Sequence, residues 1–404
     1  MGTVPSPIQQ RAFLRLDHAD GWNSLGFGAV RMDDSIWGWA QTAHLPGEAV
    51  LADVTLDGRP ISGYAGLWDR EDASLLWFNR AVGPIDSQEW RLVEVFLAHY
   101  RYPDLMCSPC LAEIPYGFEA AATMRLDCDE DVASAHPLWE TYSAFGLPLS
   151  LAVHTVLLED RRHHELLKQV AQGGGAVLSH SATHLPEWGG SYGSAYREAV
   201  TSATKLADVI GTPVRYAVSP FHQTPPFARV ALADAGYSGC IGGIVQNDPD
   251  FVMARGGPPP GSPASFVGHS QQCMLHGDQT PREGDPLAIF KEAFDIARRG
   301  RALFGYLDHP FSERYQYGWV DEASRLQIHR GCIEYLRSHK GLLFVNENDA
   351  MDFLRFRVAT SIRETAEGFT VMPSTHPSSS LPLAVEFGGR IEQVEESGWQ
   401  SWRP

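Results

Sequence analysis

The sequence predicts an α/β protein: parallel strands with helical crossovers, open or closed into a barrel, with a mixed α/β segment before them and a small β appendage after. Three observations carry this. Between about residues 118 and 356, short apolar runs alternate with amphipathic stretches, the pattern of repeated strand–helix units. Ahead of that span, β-like runs around an Asp-Gly turn signal precede one helical stretch. Behind it, the chain returns to alternation about a Glu-Gly turn.

The elements follow in order. "EAVLADVTLDGRPISGYAG" and "SLLWFNRAV" read as short strands, and "DSQEWRLVEVFLAHY" carries apolar residues at helical spacing with Asp86 and Ser87 as candidate caps. The Pro- and Cys-rich "RYPDLMCSPCLAEIPYGF" reads as a connection, which closes an accessory domain at residue 117. Strand-like runs then follow: "PLSLAVHTVLL", "GAVLSH", "PVRYAVSP", "SGCIGGIV", "LFGYLDH" and "GLLFVN". Helix-like runs lie between them, among them "DRRHHELLKQVAQ", "SAYREAVTSATKLADVIG" and "EASRLQIHRGCIEYLRSHK". "GGPPPGSPAS" is the one low-complexity loop. The expected division is therefore 1–117, 118–356 and 357–404.

Composition excludes several classes. The chain has 404 residues, too many for one ordinary core, with 44% hydrophobic and 20% charged residues. A formal net charge of -17 argues against nucleic acid, which is bound through clustered Lys and Arg, and against anionic membrane surfaces. No apolar run approaches the roughly 18 residues of a membrane span. No secretory signal is read at the start, so the expected location is cytoplasmic. Six cysteines in so long a chain make no disulfide framework, and the lone "CSPC" lacks further ligands at zinc spacing.

Chemistry concentrates at three strand ends. "MRLDCDED" places Asp127 and Asp129 two apart on a strand, so both carboxylates leave it on the same side. Two such charges are costly together unless a cation joins them or one stays protonated. "LSHSATH" puts His180 and His184 four apart, a spacing that on a helical turn brings both imidazoles to one face. With one carboxylate they make a 2-His-1-carboxylate metal site with open positions. "GYLDHP" ends a third strand with His309 preceded by Asp308, which reads as a turn carboxylate. In a β/α barrel, active sites are built on that edge. His154 also ends a strand and is open to either a rim or a core role.

At these residues the sequence resembles the NodB-type polysaccharide deacetylases, carbohydrate esterase family 4, over roughly residues 118–356. "LDCDE" looks like the family's first motif, "HSATH" matches its second, and "LDH" resembles its late Leu-x-His motif. The resemblance implies a distorted β/α barrel and an N-deacetylase acting on an amino sugar of a bacterial surface polysaccharide or its precursor. It implies Asp127 as general base and His309 as general acid. Asp129, His180 and His184 would hold one divalent metal ion, zinc first, and the backbone N–H of Phe221 would meet an oxyanion. Trp188, His276 and Trp319 are the candidates for substrate contact, with carbohydrate as the expected partner.

The resemblance has gaps. The family's third motif carries an Arg that orients the catalytic Asp, and "VSPF" (Val218 to Phe221) lacks it. Arg125 and Arg215 are the candidates to replace it, and Arg125 starts on the same side of the strand as Asp127. "NDPDF" only echoes the fourth motif. The alternatives are therefore a hydrolase of another C–N bond, formamide or cyclic amide, and a glycan-binding protein without catalysis.

Overall fold

The computed structural model describes residues 42–79, 87–242, 251, 255–271, 273–281, 283–312 and 314–402. Its centre is a nine-stranded parallel sheet. From one edge the strands run Val267–Ser270, Gly239–Gly242, Tyr216–Val218, Ala176–Ser179, Ser150–Val153, Ala120–Cys128, Phe304–Asp308 and Cys273–Met274, with Leu342–Phe344 also paired to Ala120–Cys128. The two edge strands are consecutive in the chain, separated only by residues 271 and 272. So short a link holds the two edges near one another although no ladder joins them among the described residues. The fold is a distorted β/α barrel.

The strand Ala120–Cys128 is buried along its whole length, and its alternation sorts two cores. Ala120, Ala122, Met124, Leu126 and Cys128 face the outer layer, where the crossover helices cover the sheet. Ala121 faces inward, into a cluster with Ala152, Leu178, Tyr216, Val218, Ile241 and Val267. The helix Glu347–Val358 fills that interior with Ala350, Met351 and Leu354. Its start follows from Asn346, whose side chain accepts the Asp349 N–H, with Glu347 and Asp349 in the first turn. Along the inner face the same strand turns polar: Thr123, Arg125 and Asp127 succeed Ala121 and are all buried. The interior thus grades from apolar to charged towards the strand's C-terminal end.

Around the barrel lie three small antiparallel sheets. One is Val50–Leu56, Arg59–Asp69 and Ser74–Phe78, whose first hairpin turns at Asp57 and Gly58 with φ of 47° and 75°. The second is Ser361–Thr365, Gly368–Met372 and Trp399–Trp402. The third joins Ala384–Phe387 and Arg390–Gln393 to Cys110–Leu111, so the C-terminal strands pair with the segment that carries "CSPC". Among the described residues no helix is long and apolar enough to cross a membrane.

Two sequence expectations change here. Val267–Ser270 and Cys273–Met274, in a stretch that none of the strand-like runs above includes, supply the two edge strands. His136–Ala144 and Glu347–Val358 are helices that the periodicity did not single out. Asp86 and all of "NDPDF" except Phe251 lie outside the described residues.

Candidate metal centre and active site

A cavity of about 700 Å³ opens at the C-terminal ends of the strands. Asp127, Asp129, His180, His184, Phe221, His276 and His309 all line it. Five stretches far apart in sequence are therefore brought to one place by the order of the sheet.

His180 follows the strand Ala176–Ser179, and its N–H is held by the Val153 carbonyl at 2.9 Å. Its Nδ1 stands 3.1 Å from the Val218 carbonyl, which can only accept, so Nδ1 carries the proton and Nε2 is left as the donor to a metal. The expectation of a helical turn is corrected. Residues 180–184 form a bend with Ser181 and His184 at φ of 71° and 55°, and that bend brings the two rings to 4.6 Å. Strained backbone of this kind persists only where its surroundings hold it. Glu198, on the helix Tyr192–Ile210, accepts from Ala182 N at 3.0 Å, Thr183 N at 2.8 Å and Thr183 Oγ1 at 2.9 Å.

The donor atoms converge closely. His180 Nε2 and His184 Nε2 are 3.0 Å apart, and Asp129 Oδ1 lies 3.3 and 3.4 Å from them. Ligands at zinc's usual distances and tetrahedral angles stand about 3.3 Å from one another. Asp129 Oδ1 is buried without a hydrogen-bond partner, and lone pairs this close repel unless a cation sits among them. The three residues fit a divalent metal ion, and they are the one such group among the described residues. The charges say the same. Burial opposes charging His180, yet the Asp127 and Asp129 carboxylates raise its pKa. Burial and then the His180 charge pull His184 down to about 3. Burial works against the Asp129 carboxylate too, but the adjoining His180 imidazole and then His309 and His184 hold it well below the usual range.

Asp127 is held from its own strand. Arg125 Nε donates to Oδ1 at 2.5 Å and Nη2 to Oδ2 at 3.1 Å, with both side chains buried. Burial alone would raise the Asp127 carboxyl; the Arg125 charge and then His180 outweigh it and bring the pKa to about 2. Arg215 is elsewhere, forked onto Asp352 at 2.7 and 2.6 Å. Of the two candidate arginines, Arg125 is the one that meets Asp127.

His309 enters from the neighbouring strand. Its Nε2 is 3.6 Å from Asp129 Oδ2, and its ring stacks on Tyr317 at 4.1 Å and 12°. Asp308 is no turn carboxylate. It is fully buried, accepts the His309 N–H at 2.8 Å, and pairs with Arg325 at 2.7 Å and His329 at 2.9 Å. The Phe221 backbone lines the wall at φ 51°, with its ring 4.6 Å from His184. His276 reaches the cavity 5.5 Å from the His309 ring.

Two expectations do not survive. Trp188 is fully buried, with Nε1 donating to Thr224 Oγ1 at 3.0 Å, and Trp319 is 6% exposed, with Nε1 donating to Asp308 at 3.3 Å. Neither lines the cavity; both are packing residues whose indole N–H is satisfied inside. Sequence reasoning left His154 open. It lines the cavity and donates through Nε2 to the Asp129 carbonyl at 2.7 Å, and its place at a strand end was the available signal. Tyr317, with its hydroxyl 3.5 Å from Asp129 Oδ2, and Tyr315 complete the wall opposite Phe221's loop.

Several solved structures are similar to this chain, three of them as follows. A putative polysaccharide deacetylase from Mycobacterium smegmatis is 13% identical, covering 62% of this chain and 95% of its own, with a TM-score of 0.45. A probable polysaccharide deacetylase from Pseudomonas aeruginosa PAO1 is 12% identical, covering 58% and 90%, at 0.46. Puue allantoinase is 14% identical, covering 59% and 92%, also at 0.46. The likeness is one of fold. No family model and no curated protein matches the chain.

Proposed function

We propose that this chain is a metal-dependent hydrolase that removes the acetyl group from an acetamido sugar of a bacterial surface polysaccharide or its precursor. One observation carries the reading: a buried carboxylate clamped by arginine, a converging Asp–His–His donor set and the non-ligating His309 share one cavity. Asp129, His180 and His184 would hold the ion, zinc by their donor chemistry. When bound, the ion supplies Lewis acidity towards a carbonyl and lowers the pKa of water.

The chain's own groups account for the proton traffic. Asp127, kept ionised and oriented by Arg125, takes a proton from the attacking water. The Phe221 N–H is the donor proposed for the developing oxyanion, a contribution of about 3 kcal/mol for one such group. His309 gives a proton to the leaving nitrogen, which an amide requires before it breaks. Its stacking on Tyr317 and the anchoring of its backbone by Asp308 keep the ring at the opening.

The test separates ligand from base. Purified protein should contain one divalent ion per chain by mass spectrometry of the metal, and His180→Ala or His184→Ala should lose it. Asp127→Asn should retain the ion and lose acetate release from N-acetylated chitotetraose by about 100-fold or more. A chain that takes up no zinc, or an Asp127→Asn variant as active as wild type, would sink the reading.

A further inference from the structure

Glu347 is a carboxylate that the reaction above does not use. It is the first residue of the inner helix, and its side chain is fully buried in the barrel. Two strands and the link between the sheet edges converge on it. Thr123 Oγ1 donates to Oε1 at 3.2 Å and Gln271 Nε2 donates to the same oxygen at 3.0 Å. Its own N–H goes to Ser150 Oγ at 3.0 Å. Arg125 Nη1 lies 3.8 Å from Oε1.

We propose that Glu347 is a positioning residue: it holds the far end of the Arg125 guanidinium, and through Arg125 it aims Asp127 into the metal cavity. The inference rests on the function proposed above. Arg125 uses Nε and Nη2 on Asp127, and Nη1 has no hydrogen bond of its own. An arginine reaching forward along its own strand has several torsions to fix, and a two-point grip on one partner does not fix them all. A second carboxylate on the opposite end does. Glu347 suits that task because it is itself immobile. Met351 and Leu354 of its helix are fully buried in the inner core, and Thr123 and Gln271 bind the carboxylate from two sides. The arrangement makes sense of the departure at "VSPF". An orienting Arg supplied by another loop would be fixed by that loop, whereas one on the base's own strand needs an outside anchor.

A buried acid kept only for stability would show the same contacts, so the experiment must separate the two. The full chain, loaded with zinc, is assayed with p-nitrophenyl acetate and N-acetylated chitotetraose. Glu347→Gln keeps the shape and removes the charge. Its kcat should fall on the order of 10- to 100-fold with KM changed less than about twofold and zinc content unchanged. Arg125→Lys should lose turnover to a similar extent, and adding Glu347→Gln to it should cost less than about twofold more, because the two act in series. Equal costs in both backgrounds, an unchanged kcat, or a loss explained by missing zinc would each overturn the proposal. Nuclear magnetic resonance of arginine Nε–H groups gives a readout free of activity. The protected signal that vanishes in Arg125→Lys should exchange at least about tenfold faster in Glu347→Gln, or in Glu347→Asp if the Gln variant does not fold. Unchanged exchange overturns the proposal. Faster exchange in a protein that hydrolyses neither probe supports the positioning and removes the deacetylase reading instead.

Discussion

Asp127 and Asp308 end neighbouring strands, and each is a fully buried carboxylate gripped by an arginine, yet they face opposite ways. Asp127 looks into the cavity. Asp308 looks outward to the helix Glu322–Arg337, where Arg325 and His329 take one oxygen and the Trp319 indole and His309 N–H take the other. Asp308→Asn removes one charge and leaves Arg325 buried and short of its main partner, a loss typically costing about 3–5 kcal/mol. The pH dependence follows from the direction of its shift. Burial opposes the charged form, but Arg325 and then His329 outweigh it and hold the carboxyl well below its ordinary value. A group depressed in the folded state contributes its full stability above the unfolded pKa of about 3.9 and loses it as pH falls towards the folded value. Wild type should therefore lose more Tm than Asp308→Asn between pH 6 and pH 3 when both are followed by calorimetry. Parallel curves would show that the pair contributes no pH-dependent stability.

At the scale of elements, the bend at residues 180–184 depends on a helix that contributes no ligand. Glu198 accepts three hydrogen bonds from Ala182 and Thr183, and without them the left-handed backbone at His184 keeps its own N–H bond to Ser181 Oγ at 2.8 Å but loses the ties of the two residues before it. Glu198→Ala should weaken zinc affinity by about 10- to 100-fold in a chelator competition, while kcat at saturating zinc stays near wild type. Unchanged affinity would mean that packing alone sets the bend. This division also marks what could be read in advance. Asp127, Asp129, His180, His184 and His309 were legible because each closes a strand, and strand ends on one edge of a parallel sheet meet whatever their separation in sequence. Arg125 was legible as a candidate from its two-residue offset on the strand. The two-residue strand Cys273–Met274 and the four-residue strand Val267–Ser270 were not, because so few residues give no period to detect. Trp188 and Trp319 misled for another reason: an aromatic in a loop has the same sequence signature whether its ring meets a sugar or the core. The inner helix did carry a signal, an Asn cap followed by acidic residues, but its four charged residues after Asn348 obscured the apolar face.

For the whole molecule, the charge distribution bears on what can enter. The chain carries a formal charge of -17, and the cavity is lined by Asp127, Asp129 and Glu130 with no Lys or Arg among its described lining residues. Arg125 lies beneath Asp127 rather than on the wall, fully buried and committed to that carboxylate. An approaching anion therefore meets a negative surface, and Arg314 beside the mouth is already paired with Glu130 at 2.8 Å, whereas an uncharged acetamido sugar meets imidazoles, Tyr315, Gln223 and the Phe221 ring. Salt screens such repulsion over about 8–10 Å at 0.10–0.15 M ionic strength. The expected outcome is a kcat/KM for N-acetylated chitotetraose that stays flat from low salt to about 0.5 M, and a kcat/KM for a uronate-bearing acetylated oligosaccharide that is lower at low salt and rises with it. The slope is the informative quantity, because contacts inside the cavity change the level of both curves while long-range repulsion changes only their response to salt. A uronate substrate whose kcat/KM instead falls with added salt would mean that a cationic group outside the described lining attracts it, and the neutral-substrate expectation would then be wrong.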